Sequence, residues 1–223
     1  MEYDLILFDL DGTISDSLTG IARSINYALI ESGYPQVPES SLARFIGPPI
    51  DDAFALLAGT GSREIIEHLV ARFRERFSDI GYAENRVYPG VREALKDLHA
   101  NHVPMAVCTS KRPDYAEKIV RMFELDHLFL FVNGGDMGVY KEQQIARMLS
   151  DGKASKDTLM IGDRGLDLKA AHANGISSAG VLWGYGSQAE LESENPAHLF
   201  STPREWGILK RLTRPFEFRG RLT

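Results

Sequence analysis

Short apolar runs alternating with stretches of helical periodicity constrain this chain more than anything else in it. The runs cover 3–8 (YDLILF), 103–108 (VPMAVC), 128–133 (LFLFVN), 158–162 (TLMIG) and 176–183 (ISSAGVLW). Helical patterns follow over 92–100, 113–123, 141–150 and 166–174. Strand alternating with helix predicts an α/β fold, a Rossmann-like parallel sheet with helices on both faces. Burial on both faces also explains why the strands are continuously apolar instead of alternating.

One segment breaks the rhythm. Between the first run and VYPGV (87–91) no strand pattern occurs, and the residues read as helices. In DSLTGIARSINYALIESG, Leu18, Ile21, Ala22, Ile25, Ala28 and Leu29 share a face. Ser15, Asp16 or Ser17 can cap its start and Gly33 ends it. REIIEHLVARFRERF repeats the pattern with Ile65, Ile66, Leu69, Val70, Phe73 and Phe77. Such a segment is too long for an ordinary loop. The expected division is a core of 1–15 and 87–223 carrying an inserted all-helical cap of 16–86.

The chain has 223 residues, 43% of them hydrophobic and 25% charged, enough for a packed core. A net charge of -6 argues against a general nucleic-acid binder. A single cysteine, Cys108, excludes an intramolecular disulfide and a cysteine zinc cluster; inside an apolar strand it is expected to be inert. No basic leader precedes the first acids, and no apolar stretch approaches the roughly 20 residues of a membrane span. The expected setting is cytoplasmic, with no membrane and no nucleic-acid partner, as monomer or homodimer. The tail KRLTRPFEFRGRLT is basic with Phe216 and Phe218 interleaved, and is expected to be frayed or docked on the surface.

The first run ends in FDLDGT. In a parallel sheet, ligands bind beyond the carboxyl ends of the strands. Asp9 and Asp11 lie there, and residues two apart on an extended chain point to the same side. Their mutual repulsion is relieved by a hard cation such as Mg²⁺, which takes oxygen ligands. Gly12 allows a sharp turn, and Thr13 adds a hydroxyl and an amide. The second strand ends in Thr109 and Ser110; the fourth ends in GDRGLD, with Asp163 and Asp167. Lys141 opens the helix after the third, a poor place for a cation unless an anion is near. Each feature has an ordinary reading as a polar turn or helix cap. Their convergence on one sheet edge points to a functional site.

FDLDGT, the Thr109-Ser110 pair, Lys141 and GDRGLD, in that order, resemble the four motifs of the haloacid dehalogenase superfamily, over almost the whole chain. The helical insert, FIGPPI (45–50), VYPGVREALKDL and GVLWGYGSQAELE are similar to the phosphoglycolate phosphatase-like branch. The resemblance implies a phosphatase acting on a small phosphomonoester. Asp9 would be the nucleophile and Asp11 the general acid and base. Mg²⁺ would be held by Asp9, the Asp11 carbonyl and Asp163, with Asp167 in support. Thr109 and Lys141 would hold phosphate oxygens, helped by Ser110 and the amides of Gly12 and Thr13. Gly47 and Pro48 would reach the site from the cap.

Arg44, Arg23 and Tyr27 are candidates for a substrate's remote end, although Arg23 and Tyr27 read more readily as exposed helix residues. NGGDMGVY lacks the Lys-Pro pair of that branch, which leaves Lys111 as the second candidate for the role of Lys141. Arg164 stands where many relatives carry Ser or Thr, so it either tunes the site or points to solvent. Phosphoglycolate, a nucleoside monophosphate and a sugar phosphate all fit. A phosphomutase, a signalling receiver and a silent phosphate-binding protein are the rival readings. His99 and His102 have metal-binding spacing, but placement near a helix C-terminus explains them better.

Overall fold

A central strand, β1 (Leu5–Phe8), is buried along its whole length, with Ile6 and Phe8 in one apolar cluster and Leu5 and Leu7 in the other. The computed structural model describes residues 2–214; Phe216 and Phe218 of the basic tail lie outside the described residues. After β1 come β2 (Ser15–Asp16), α1 (Leu18–Glu31), α2 (Ile50–Leu57), α3 (Arg63–Asp79) and β3 (Arg86–Val87). The chain continues through α4 (Val91–Ala100), β4 (Met105–Cys108), α5 (Pro113–Met122), β5 (Val132–Asn133), α6 (Lys141–Ser150) and β6 (Thr158–Gly162). It ends with α7 (Gly165–Ala173), β7 (Ser177–Val181), α8 (Gln188–Glu192), β8 (His198–Phe200) and α9 (Leu209–Leu212).

Six strands form one parallel sheet in the order β5-β4-β1-β6-β7-β8. The chain builds outward from β1 to β5, then returns to place β6 on the other side of β1. That reversal opens a crevice beyond the carboxyl ends of β1 and β6. Both sheet faces are covered, as the continuous apolar runs predict. The register places Phe8 beside Val107 of β4 and Ile161 of β6.

Several expectations need correction. The strand expected over 128–133 shrinks to Val132–Asn133, preceded by a 3-10 turn at Asp126–Leu128 and by an exposed Leu130. β8 adds a sixth strand that the sequence did not announce. The stretch between β1 and VYPGV is helical, as expected, but is entered and left through a short antiparallel ribbon pairing Ser15 with Val87 and Asp16 with Arg86.

Within that stretch α1 buries Ile21, Ala22, Ile25, Ala28 and Leu29 against Leu69, Val70, Phe73 and Phe77 of α3. Ile65, expected on the buried face, is exposed. Ser17 is the N-cap of α1 without a side-chain cap, and the carboxylate of Asp16 before it accepts from the Leu18 amide at 3.3 Å. Gly33 follows the helix with φ 79°, a conformation that suits glycine. Phe54 of α2 meets the edge of Phe73 at 6.2 Å, and Phe73 stacks on Phe77 at 5.2 Å. The described part of the tail is docked: the Arg214 amide donates to Tyr3, and Lys210 pairs with Asp97 at 2.8 Å. No helix among the described residues is long and apolar enough to cross a membrane.

Candidate active site

The Asp9 amide continues the β1 ladder by donating to Ile161 at 2.9 Å, so its carboxylate leaves the sheet edge in a fixed direction. Leu10 turns into the core, and the loop then closes tightly, with Gly12 donating to the Ser15 carbonyl at 2.8 Å. Gly12 has φ 90°, and a Cβ there would collide with the Asp163 carboxylate. Glycine is therefore required twice over, by backbone conformation and by space.

Asp163 leaves the end of β6 and is buried. One oxygen accepts from the Thr13 hydroxyl at 3.3 Å and the other from the Tyr185 amide at 2.8 Å. Asp167, in the first turn of α7, accepts from the Arg164 amide at 3.1 Å and from the Lys141 ammonium. Lys141 opens α6 and also reaches Asp9 at 2.9 Å. Ligand atoms of Asp9, Asp163 and Asp167 all lie within 4.8 Å of one another, the single such group of potential metal ligands among the described residues.

This cluster is electrostatically incomplete. Burial, opposed by Lys141 and reinforced by Asp167, pushes the Asp9 carboxyl up to about 7. Burial, with Asp167 and Asp9 adding to it, raises Asp163 well above the usual carboxylate range. Burial alone would lower Lys141, but the carboxylates of Asp167 and Asp9 outweigh it and the ammonium is held charged. Three carboxylates against one ammonium leave a deficit of two positive charges, which a divalent cation supplies. Hard oxygen donors in this number suit Mg²⁺. The residues present therefore fit the metal.

Asp11 has a different setting. Its carboxylate stands apart from the three-acid cluster, paired with Lys111 at 2.9 Å, while its other oxygen is buried without a hydrogen-bond partner among the described residues. The Asp11 carboxylate is thus not one of the grouped potential metal ligands. Lys111, the second candidate for the place of Lys141, instead serves Asp11 and lies 4.6 Å over the Phe77 ring. Lys141 sits where the motif order puts it.

Thr109 and Ser110 follow β4 and line the same cleft as Asp9 and Asp11. Its far wall is apolar and comes from the helical segment, with Ile21, Phe45, Phe73 and Phe77; Tyr115 faces them from α5. Gly47 and Pro48 also line it. Arg74 of α3 reaches across to Asp136 at 2.7 Å.

The remaining residues singled out in the sequence lie away from the cleft lining. Arg44 is exposed and lies 4.7 Å over the Phe45 ring, outside the cleft lining. Arg23 pairs with Glu84 and Glu39, and Tyr27 donates to Glu75, both on the surface. Cys108 is buried beside Gln144 and its thiol is pushed up to about 12 by burial, so it is inert. His99 faces His127 edge-on at 6.2 Å, away from any carboxylate cluster among the described residues.

Sequence reasoning missed the loop after β7 as part of the site. A Cβ on Gly184 would collide with Asp163, and Trp183 donates to the Thr13 carbonyl at 3.0 Å. The signal available was the WGYG stretch itself, aromatic and glycine-rich at a strand's carboxyl end.

The sequence and the fold resemble those of known proteins. The family model of haloacid dehalogenase-like hydrolases matches residues 6–181. The chain is 39% identical over 202 residues to a 5'-nucleotidase of Pseudomonas aeruginosa, covering 89% of this chain and 91% of that one. It is 37% identical over 188 residues to the tyrosine-protein kinase PtkA of Mycobacterium tuberculosis, covering 82% of this chain but only 63% of that longer one. It is 32% identical over 212 residues to a phosphoglycolate phosphatase of Mannheimia succiniciproducens, covering 89% and 94%. Among solved structures, a "predicted phosphatase" from Clostridium acetobutylicum superposes with a TM-score of 0.87 at 30% identity, covering 95% of this chain and 98% of that one.

Proposed function

This chain belongs to the haloacid dehalogenase-like hydrolases and is a phosphatase of that family, and we propose that it hydrolyses small phosphomonoesters with Mg²⁺ through an aspartyl-phosphate on Asp9. The observation that carries this reading is the charge-deficient cluster of Asp9, Asp163, Asp167 and Lys141, with Asp11 alongside but outside it. The helical segment of 16–86 serves as a cap over it.

Asp9 attacks phosphorus in line, and the ester oxygen departs. Asp11, which lines the same cleft as Asp9, protonates that oxygen and then takes a proton from the water that hydrolyses the intermediate. Its pairing with Lys111 keeps the carboxylate oriented. Thr109, Ser110 and the amides after Asp9 supply donors to the phosphoryl oxygens, and Lys141 adds a fixed charge. Asp9, Asp163 and Asp167, with the Asp11 carbonyl, would hold Mg²⁺, which neutralises charge on the phosphoryl group. The apolar wall excludes water that would compete with the leaving group.

Phosphoglycolate is the first substrate expected from the branch. The aromatic lining of Phe73, Phe77 and Tyr115 favours a second reading, a larger organic group such as a nucleoside, in line with the name of the Pseudomonas relative. Phosphate release from a panel of glycolate, nucleoside and sugar phosphates with Mg²⁺ separates the two. Asp9→Asn abolishes turnover; release at an undiminished rate in that variant removes Asp9 from its role. Phosphoryl exchange between sugar phosphates without net release would instead establish a mutase.

A further inference from the structure

We propose that Arg164 is a positioning residue that ties the buried acid cluster to the segment over the mouth of the cleft. The inference rests on the cluster being the reaction centre. Arg164 sits between Asp163 and Gly165, and its backbone amide donates to Asp167 at 3.1 Å. Its side chain runs the other way. The guanidinium Nη1 donates to the carbonyl of Ile46 at 2.6 Å and to that of Arg44 at 3.3 Å. Its Nε donates to Glu190 at 3.1 Å, and the same carboxylate oxygen accepts from the Gly165 amide at 2.7 Å.

The residue spans three elements: the end of β6, the start of α8 and the turn ahead of α2. Meeting two carbonyls and a carboxylate at once needs a planar donor fork, which lysine lacks. Gly47 completes the arrangement. Its φ is 111°, and a Cβ there would lie 3.2 Å from the Arg164 Cγ, so glycine leaves the arginine stem room beneath the turn. Gly47 and Pro48 line the same cleft as Asp9 and Asp11. A displacement at Arg164 therefore moves the wall against which a substrate's organic group rests. Glu190 sets the arginine's direction from behind.

A purely structural clamp would change stability and leave substrate handling alone. A positioning residue shifts KM before kcat and loosens one segment selectively. The test uses the full chain with Mg²⁺ and p-nitrophenyl phosphate. Arg164→Met keeps the stem and removes the donors; Arg164→Lys keeps the charge; Glu190→Gln removes the orienting charge.

Arg164→Met is expected to raise KM severalfold, with kcat changed less. Arg164→Lys is intermediate and Glu190→Gln is milder. Hydrogen exchange is expected to quicken over 44–50 in Arg164→Met while β1, β6 and α7 keep their protection. Unchanged exchange over 44–50, or a lowered Tm with KM unmoved, overturns the proposal. Wild-type protein that releases no phosphate refutes the phosphatase reading instead, and the exchange measurement still decides this one.

Discussion

Gly12 shows how much of the site hangs on single residues. Its φ of 90° and its contact with Asp163 leave no room for any side chain. Gly12→Ala is expected to cost about 1–3 kcal/mol in backbone strain. It should also push the Asp163 carboxylate off the cluster and weaken Mg²⁺ binding. Denaturant titration and Mg²⁺-dependent thermal shift measure the two losses separately, and a variant that binds Mg²⁺ like the wild type would contradict the geometry. The cluster residues were legible because Asp9, Asp163, Asp167 and Lys141 are fixed by strand ends and first helical turns, where the backbone aims the side chain. Arg44 was not, because it lies in the last turn of a 3-10 helix whose orientation depends on packing against distant residues. The destinations of Lys111 and Arg164 were equally hidden. A long side chain finds its partners in the folded molecule, and Phe77 and Ile46 are remote in sequence from them.

Element limits were read unevenly. β6 and α6 match the expected limits, β1, β4 and β7 come out shorter than expected, and of the edge strands β5 shrinks to two residues and β8 was missed. LFLFVN is apolar up to Asn133, yet β5 pairs with β4 only at Val132 and Asn133, and among the described residues no strand continues the sheet on its outer side. The β2–β3 ribbon is too short to show any period. Helix α1 illustrates packing overriding propensity. Inside a helix alanine is favoured over glycine by about 1 kcal/mol. At position 20, however, a Cβ would run into the carbonyl oxygen of Gly81, a backbone atom that cannot swing aside. Overpacking of this kind costs about 1–3 kcal/mol, so Gly20→Ala should be net destabilising. Urea unfolding checks this, with Gly61→Ala as the control, since nothing lies within 4 Å of a carbon added there. A Gly20→Ala protein more stable than wild type would mean that α1 and the turn after α3 are not held this closely.

At the scale of the whole molecule, the buried acids link metal, protons and stability. The Asp9 carboxyl lies near 7 in the folded protein, against an ordinary value of 3.8, with burial as the main cause. Between those values the folded state holds a proton that the unfolded chain has released. Without Mg²⁺ this group's contribution therefore falls as pH rises from about 4 to about 7, and stays low above that. Asp163, shifted in the same direction, adds to the trend. Mg²⁺ must displace these protons, so its affinity and the stability it adds should grow over the same interval. Other groups titrate here as well; the half-buried His198, lowered by burial, acts in the opposite sense. The difference between wild type and Asp9→Asn isolates the cluster, because His198 is common to both. With a chelator present, Asp9→Asn should become more stable relative to wild type as pH rises from 5 to 8, having lost the carboxyl that must ionise in a dry site. With Mg²⁺ at pH 8 the order should reverse, since only the wild type regains its full charge balance. Thermal unfolding of both proteins under the four conditions gives the answer. Parallel curves, unaffected by pH or Mg²⁺, would show that Asp9 ionises as freely in the folded protein as in water, and the charge deficit assigned to the cluster would then not exist.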